Sequence, residues 1–240
     1  MQRLDLTLSP AMYLAIDDAL LESAEGSPDC CETLRLWEPE SPMVVIGRSS
    51  PLSKEVNLDY CRAEGIPVFR RISGGQSIVT GPGSLMYAVL LDNRQRPELR
   101  MLDQAHRFVT TQLKQAIDSL GVPTEINGTC DLTCRGRKFS GNALRCRRNW
   151  FLYHGTILLQ NFDLDLLTRT LGQPHRQPDY REQRSHEQFV TTIPLSVEAV
   201  KEAIAKQFNA ITQSQDAPRS LAQQLVASKY EDPEWLAKVP

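Results

Sequence analysis

Two adjacent arginines and a Gly-Gly pair stand out in the stretch Arg70-Arg71-Ile72-Ser73-Gly74-Gly75-Gln76-Ser77-Ile78-Val79-Thr80-Gly81-Pro82-Gly83. Short apolar runs lie before it, at Ile66–Phe69, and after it, at Leu85–Leu91, so the order predicts strand, loop and strand. Glycine has no Cβ and lets backbone N–H groups approach a ligand, while arginine supplies forked cationic donors. The stretch therefore predicts a loop that binds a carboxylate or a phosphate. A hairpin turn with solvated arginines is the alternative.

Two later segments favour the ligand-binding interpretation. They are Gly136-Arg137-Lys138-Phe139-Ser140-Gly141-Asn142-Ala143 and Tyr153-His154-Gly155-Thr156-Ile157-Leu158-Leu159. Together with Arg70–Gly75, they resemble in the same order the RR-x-SGG, G-x-K-x-x-G-x-A and HGT-x-L motifs of the lipoate–protein ligase and octanoyltransferase family, which is related to the biotin–protein ligases. Thr33–Trp37 and Val44–Arg48 resemble two upstream strands of that family. The resemblance spans roughly Leu4 to Gln160.

Gln76 departs from the family pattern, because many members have a third glycine at this position. Glutamine tolerates a positive φ poorly, so the loop is expected to differ locally from those members.

The composition indicates an ordinary soluble chain. Lys and Arg number 27 against 29 Asp and Glu among 240 residues, so no overall field favours nucleic acid or a membrane as a partner. The N-terminus has no apolar leader, and no apolar run reaches the ~18 residues of a membrane span. We expect a cytoplasmic protein with a single catalytic domain over residues 1–240. The basic run Arg145-Cys146-Arg147-Arg148 is interpreted as a solvated turn.

The six cysteines are expected to be free thiols, since no leader directs the chain to an oxidising compartment. Cys130 and Cys134 resemble half of a zinc site, but no second Cys pair or close His pair completes four ligands. On a strand, Cys130, Leu132 and Cys134 would share one face, and Asp131 would lie on the other. The two cysteines are therefore predicted to be small core residues, and no metal site is expected.

Periodicity predicts the secondary structure. Helices are expected at Ser9–Gly26, Ser53–Gly65, Leu99–Leu120, Asp163–Gly172, Ser196–Phe208 and Leu221–Tyr230, and strands at Thr33–Glu38, Met43–Ile46, Ile66–Phe69, Leu85–Leu91, Thr129–Arg135, Lys138–Arg145 and Trp150–Gln160. The last three strands predict an antiparallel meander. The whole pattern predicts an α+β fold, with a mixed, largely antiparallel sheet that carries helices on one side.

Three smaller features complete the structural expectations. Asp17 and Asp18 lie on the flank of the first helix and are expected in solvent. His106 lies on the apolar stripe of the third helix and is expected to be a hydrogen-bonded core histidine. The segment 173–188 has no periodicity and predicts a mobile loop or lid.

The resemblance implies roles for the residues of the motifs. Family members activate an acyl group and pass it to a lysine of a carrier domain, and the acyl adenylate places a phosphodiester anion beside an electrophilic carbonyl. Lys138 is expected to bind the phosphate and carbonyl oxygens and to stabilise the charge that develops on transfer. Arg71 is expected to contact the anionic part of the ligand, and Arg70 to point away from it. Further donors are expected from Ser73, Gly74, Gly75 and Gln76.

Four other residues are candidates for the same site. Asn142 would contact a phosphate or the adenine edge, and His154 would either contact the ligand or support the hairpin. Asp131 corresponds to an acidic family position that holds a metal or positions the carrier lysine. Cys130 is the candidate nucleophile if the protein is a transferase, because a thiolate accepts acyl groups readily.

The ligases of the family use free lipoate or octanoate with ATP and Mg²⁺, whereas its octanoyltransferases take octanoyl from acyl carrier protein through a cysteine. The transferases have their cysteine at one of two positions, which correspond here to Phe151 and to Pro123–Thr124. The absence of a cysteine at both positions favours the ligase. A small shift of the alignment would place Cys130 at the second position. The third possibility, a non-catalytic protein that holds an acyl group or a lipoyl domain, is disfavoured because Lys138 and the glycine-rich loop are both present.

The resemblance also implies partners. The acceptor is expected to be a lipoyl carrier domain, either of a 2-oxoacid dehydrogenase acyltransferase subunit or of the glycine-cleavage carrier protein. Only 30 residues follow Ala210, too few for the C-terminal accessory domain of many ligases. We therefore expect a separate accessory subunit or the use of preformed adenylate.

Overall fold

Strands and short helices alternate along the chain in a computed structural model that describes residues 1–27, 30–174 and 176–238. The strands are β1 (Gln2–Leu4), β2 (Thr33–Trp37), β3 (Met43–Ile46), β4 (Val68–Arg70), β5 (Ile78–Thr80), β6 (Ser84–Asp92), β7 (Glu125–Asn127), β8 (Asp131–Cys134), β9 (Arg137–Cys146), β10 (Trp150–Leu158) and β11 (Thr212–Gln213). The helices are α1 (Pro10–Gly26), α2 (Leu52–Glu55), α3 (Leu58–Ala63), α4 (Leu102–Asp118), α5 (Asp165–Thr170), α6 (His186–Phe189), α7 (Val197–Gln207), α8 (Arg219–Leu225) and α9 (Pro233–Ala237).

The strands form two sheets. The larger has the order β11-β1-β2-β6-β10-β9-β8-β7, and the smaller has the order β4-β3-β5. In the larger sheet β1 pairs in parallel with β2 and β11, and its other described pairs are antiparallel, including the meander β8-β9-β10. These pairings confirm the predicted α+β class and the predicted meander.

Helices cover both faces of the larger sheet, so the prediction of helices on one side is wrong. On one face, α4 and α7 pack against the sheet through residues such as Leu113 and Ile204. On the other face, α1 packs against Trp37 and Leu152. Helix α1 has the consecutive buried residues Tyr13, Leu14, Ala15 and Ile16, and a helix that is apolar on several faces is buried between layers.

The position of α1 also corrects the expectation for its two aspartates. Asp17 and Asp18 are only 5% and 2% exposed, so neither lies in solvent. Asp18 binds Lys229 and the hydroxyl of Tyr230, both from the C-terminal segment. Asp17 faces the cavity described below. Buried carboxylates require such partners, because an unpaired buried charge is strongly unfavourable.

Several predicted boundaries shift for local reasons. The helix predicted at Ser53–Gly65 is divided into α2 and α3, because the backbone of Val56 pairs with Leu171 and Asn57 caps α3. The side chain of Ser196 caps α7, whereas the side chain of Ser9 makes no capping hydrogen bond at α1. Part of the predicted loop after Arg70 forms β5. Helix α4 begins at Leu102, because a 3-10 turn occupies Pro97–Arg100.

Two smaller expectations are confirmed. Nδ1 of His106 lies 3.0 Å from the hydroxyl of Tyr153. Burial lowers the pKa of His106, which fits a hydrogen-bonded histidine at the edge of the core. All six cysteines are free. None of the described helices is long and apolar enough to cross a membrane.

Candidate active site

A cavity of about 460 Å³ lies between the two sheets and residues of the segment 176–190. This volume is in the range of small-molecule sites. Its wall includes most of the site residues predicted from the sequence, namely Arg71, Gly75, Gln76, Cys130, Asp131, Lys138, Asn142 and His154. Ser73 and Gly74 contact residues of that wall: Oγ of Ser73 lies 2.6 Å from Nε2 of His154, and the carbonyl of Gly74 accepts from Arg71. The structure therefore brings the three sequence motifs together around one cavity.

Apolar side chains form much of the remaining wall. One group belongs to the core that includes α1 and consists of Leu14, Trp37, Val45 and Met86. A second group, near α5 and α6, consists of Leu167, Leu171, Phe189 and Val190. A cavity with these walls and a few converging polar groups suits a ligand with an extended apolar part and a polar end.

Arg71 holds the glycine-rich loop in place through hydrogen bonds to its backbone. It is buried, and its guanidinium donates to the carbonyls of Val45, Gly74 and Gln76 at 3.0, 2.6 and 2.9 Å. Its Nε also donates to the hydroxyl of Ser73. Burial lowers the pKa of Arg71 to about 10, so the guanidinium is still charged at neutral pH. The loop thus receives a fixed positive charge at the cavity wall.

Arg70 points to different partners, as the predicted strand alternation requires. Its guanidinium donates to the carbonyls of Gly47, Arg48 and Ser50 at 2.9–3.0 Å. It also donates to the carbonyls of Trp235 and Leu236, which fixes α9 against the end of β4. Arg70 is therefore a structural residue that joins the C-terminal segment to the loop.

We expect Arg71→Ala to weaken binding of a non-hydrolysable acyl adenylate by about 2–5 kcal/mol, because the loop loses both its charge and its hydrogen bonds. Arg70→Ala is expected to lower the free energy of unfolding and to change affinity less. Calorimetry and urea unfolding measure the two quantities, and the exposed Arg62→Ala serves as the matched control. Equal losses of affinity for both variants, with unchanged stability, would contradict this division.

Gly75 gives the loop its left-handed backbone turn. Its φ is +87°, a conformation that favours glycine. Gln76 is not among the described residues with positive φ, so the expected conflict at this position does not arise. Instead, Nε2 of Gln76 donates to the backbone carbonyl of Arg176 at 2.5 Å. The glutamine that departs from the family pattern thus connects the loop to the segment predicted as a lid.

Lys138 lies at the start of β9 in an ion pair. Its Nζ is 2.8 Å from Oδ1 of Asp131, and the lysine side chain is 28% exposed. The second carboxylate oxygen of Asp131 accepts a hydrogen bond of 2.7 Å from the hydroxyl of Tyr180. Burial, reinforced by Asp131, raises the pKa of Tyr180, so its hydroxyl stays a donor. Asp131 therefore holds the lysine at the cavity wall.

Sequence reasoning missed Tyr180. It lies in the segment predicted as a lid, where a 3-10 turn (Asp179–Arg181) and α6 form; His175 of the same segment lies outside the described residues. A tyrosine in an aperiodic polar segment carries no periodic signal, because its partner Asp131 is 49 residues away.

Asn142 and Cys130 both line the cavity and are joined by two hydrogen bonds. Nδ2 of Asn142 donates to the carbonyl of Cys130 at 2.5 Å, and the thiol of Cys130 donates to the carbonyl of Asn142 at 3.3 Å. Oδ1 of Asn142 accepts from the hydroxyl of Tyr87. Cys130 precedes β8 in a turn and faces the cavity, so the prediction that it shares a core face with Leu132 is wrong. Burial raises the pKa of its thiol to about 11.

A chain of polar contacts leads from the glycine-rich loop into the core. Oγ of Ser73 lies 2.6 Å from Nε2 of His154, and Nδ1 of His154 lies 3.6 Å from Oδ2 of Asp17. Asp17 in turn accepts a hydrogen bond of 2.9 Å from the buried Arg35. Because Ser73 already accepts from Arg71, its own proton is available for Nε2 of His154. The carboxylate beside Nδ1 favours the tautomer with the proton on that nitrogen.

Gly141 makes room for the side chain of Lys138 at the polar wall. A Cβ built on Gly141 would lie 3.1 Å from Nζ of Lys138, so glycine leaves the room that the ammonium occupies. No group of three or more His, Cys, Asp or Glu side chains suited to a metal occurs in the described part of the chain. Mg²⁺ normally keeps several waters and binds one or two carboxylates together with substrate phosphates. Asp131, whose Oδ1 lies 2.8 Å from Nζ of Lys138, is the carboxylate beside that ammonium at the cavity wall.

Comparisons with known proteins give a consistent result. The family model of the lipoyl protein ligase A/B catalytic domain matches residues 9–209. An Aeropyrum pernix protein named for lipoate-protein ligase A is 31% identical, in an alignment that covers 70% of this chain and 61% of that protein. The octanoyltransferase LipM of Brevibacillus brevis is 26% identical, and the alignment covers 95% of both chains.

Solved structures agree with the fold. A bipartite lipoate protein ligase from Thermoplasma acidophilum, from a study that includes its E2 lipoyl domain, superimposes with a TM-score of 0.83 at 24% identity. That superposition covers 98% of this chain and 96% of the other. The matched residues 9–209 contain all three motifs around the cavity. The chain therefore belongs to the lipoyl protein ligase A/B catalytic-domain family.

Proposed function

We propose that the protein is a lipoate–protein ligase that activates lipoate or octanoate as the acyl adenylate and transfers the acyl group to a lysine of a lipoyl carrier domain. The observation that carries this proposal is the cavity, in which apolar walls meet Lys138, Asn142 and the Arg71–Gly75 loop. A medium-length acyl chain fits the apolar walls, and an activated carboxyl group fits the cationic end.

The reaction has two steps, activation of the acyl group and its transfer. In the first step the acyl carboxylate attacks the α-phosphorus of ATP and pyrophosphate leaves, which gives the acyl adenylate. Mg²⁺ would enter with the phosphates beside Asp131. Lys138 donates to the phosphate oxygen that joins the acyl group and to the carbonyl oxygen, which offsets charge in both steps. The Gly74–Gly75 backbone and the Arg71 charge hold the anionic part of the ligand. The carrier amine then attacks the carbonyl carbon, and AMP leaves with the bonding electron pair.

Residues 1–240 are proposed to form one catalytic unit. The acceptor would be a lipoyl carrier domain of a 2-oxoacid dehydrogenase acyltransferase subunit or the glycine-cleavage carrier protein. The solved Thermoplasma ligase is described as bipartite, which supports a search for a separate accessory subunit.

An octanoyltransferase is the second candidate, because the LipM alignment covers 95% of both proteins. Such an enzyme would need a thiolate in the cavity. Cys130 faces the cavity, but its hydrogen bond to the carbonyl of Asn142 and its raised pKa keep the thiol protonated near neutrality.

The function is tested with purified protein, octanoate, ATP, Mg²⁺ and a lipoyl carrier domain, read by intact mass. An octanoyl mass on the carrier that appears only with ATP supports the ligase. An octanoyl mass that appears from octanoyl acyl carrier protein without ATP would replace it with the transferase. No modification under either condition would contradict both activities.

We expect Cys130→Ser to retain ATP-dependent acyl transfer, because the ligase passes the acyl group directly from adenylate to amine. None of the six cysteines should carry an acyl thioester during turnover, which mass spectrometry after acid quenching can detect. The exposed Cys31→Ser provides the matched control. An octanoyl thioester on wild-type Cys130, absent from the variant, would overturn the ligase assignment.

A further inference from the structure

Three arginines line the open side of β9 next to the cavity; we refer to Arg48, Arg145 and Arg147 as the basic strip. Leu144 and Cys146 of β9 pack towards α4 and α7, so Ala143 and Arg145 project from the other face of the sheet. Ala143 lines the cavity, and its Cβ lies 3.9 Å from a Cβ built on Gly75. Arg145 is the next residue on that face, so the strip begins at the rim of the cavity.

Arg48 reaches the same rim from the smaller sheet. Its backbone N–H donates to the carbonyl of Ser73 at 2.9 Å, which places it beside the glycine-rich loop. Arg147 follows β9 and donates its backbone N–H to the carbonyl of Trp150. Two residues along an extended strand span roughly 7 Å, so the strip extends away from the cavity over the sheet surface.

The three side chains lack anionic partners. None of them makes an ion pair or a side-chain hydrogen bond with the rest of the described structure, and Arg48 and Arg147 are exposed. Burial and the two neighbouring arginines lower the pKa of Arg145. The carboxylate whose charge acts on Arg145 is that of Asp18, which already binds Lys229 at 2.6 Å. Three unpaired like charges in one place repel each other, and an acidic partner would relieve that repulsion.

We propose that the basic strip docks an acidic face of the carrier domain and so presents its acceptor lysine to the cavity. This inference rests on the proposed function. A protein surface fits better than the phosphates of a nucleotide, because the strip lies outside the cavity and extends from its rim. Nucleic acid is a poorer match, because the whole chain carries a net charge of -2.

The test compares two charge-reversal variants that change the net charge equally. Arg48→Glu/Arg147→Glu alters two exposed residues of the strip, and Arg100→Glu/Arg107→Glu alters two exposed residues on the α4 side of the sheet. The probe is a purified apo-lipoyl domain with carboxylates flanking its acceptor lysine. Its dissociation constant is measured by biolayer interferometry across a salt series, and octanoyl adenylate formation without the carrier is measured by hydroxylamine trapping.

The strip variant is expected to raise the dissociation constant at least about fivefold at low salt and to flatten its salt dependence, since surface charges act on encounter and screening. The control variant should bind as the wild type does, and adenylate formation should be unchanged in both. If both variants weaken carrier binding equally, or if neither weakens it, the proposed docking role of the basic strip is wrong. Loss of adenylate formation in the strip variant alone would assign it to the nucleotide instead. Because binding needs no turnover, an inactive wild type would count against the proposed function alone.

Discussion

Lys138→Ala is expected to lower the rate of acyl transfer to a carrier lysine by about 10²–10³-fold, the usual cost of losing one preorganised donor at a developing oxyanion. The fold should remain intact, because the lysine side chain is 28% exposed and lies at the cavity wall. The variant keeps Asp131 and its hydrogen bond from Tyr180, so the wall retains its other contacts.

The measurement uses synthetic octanoyl adenylate and a carrier domain in single-turnover mode, which separates transfer from activation. Lys114→Ala is the matched control, since this lysine also pairs with an aspartate, Asp118, but on the surface of α4. Thermal unfolding should be similar for both variants. Transfer by Lys138→Ala within a few-fold of the wild type would remove Lys138 from the proposed mechanism.

The motifs that carry most of the site could be read directly from the sequence. Lys138, Asn142 and His154 lie on β9 and β10, whose register is fixed by adjacent pairing in the meander. Local alternation sufficed there, because neighbouring strands bring residues together without any knowledge of the rest of the fold. The divergence of Arg70 and Arg71 followed from the same two-residue period.

Residues that join distant elements could not be predicted in this way. Asp17 was expected in solvent, because its place on α1 was judged from one helix face alone. Its burial depends on Arg35, 18 residues away, and on His154 of β10. A signal was present: apolar residues on several faces of α1 indicate a helix between layers, where a carboxylate needs a partner.

Cys130 illustrates a different limit. The period of two placed it with Leu132, but β8 begins only at Asp131, and a turn precedes it. One residue of error in a strand boundary moves a side chain to the other face. The structure therefore places at the cavity a cysteine that was expected in the core, and burial raises the pKa of its thiol there too.

Asp17→Ala is expected to lower the free energy of unfolding by about 3–5 kcal/mol, the cost of leaving a buried charge without its partner. Arg35 is only 1% exposed, and its guanidinium lies 5.2 Å from the ring of Trp37. Burial lowers the pKa of Arg35 and Asp17 opposes this shift, so removal of the carboxylate leaves the cation with the carbonyl of Tyr13 alone as its described polar partner. Urea unfolding of the variant and the wild type gives the difference directly.

The double variant Asp17→Ala/Arg35→Met separates stability from catalysis. Replacement of a buried ion pair by apolar groups is often neutral, so most of the lost stability should return. Acyl transfer should stay about tenfold below the wild type, the equivalent of ~1.4 kcal/mol, because His154 no longer has a carboxylate 3.6 Å from Nδ1. Asp18→Asn is the matched control. The carboxylate of Asp18 is also buried and lies next to Asp17 in the chain, but it binds Lys229 and has no described contact with His154. If the double variant recovers both stability and full activity, Asp17 serves only to neutralise Arg35, and the contacts from Asp17 through His154 to Ser73 have no part in transfer.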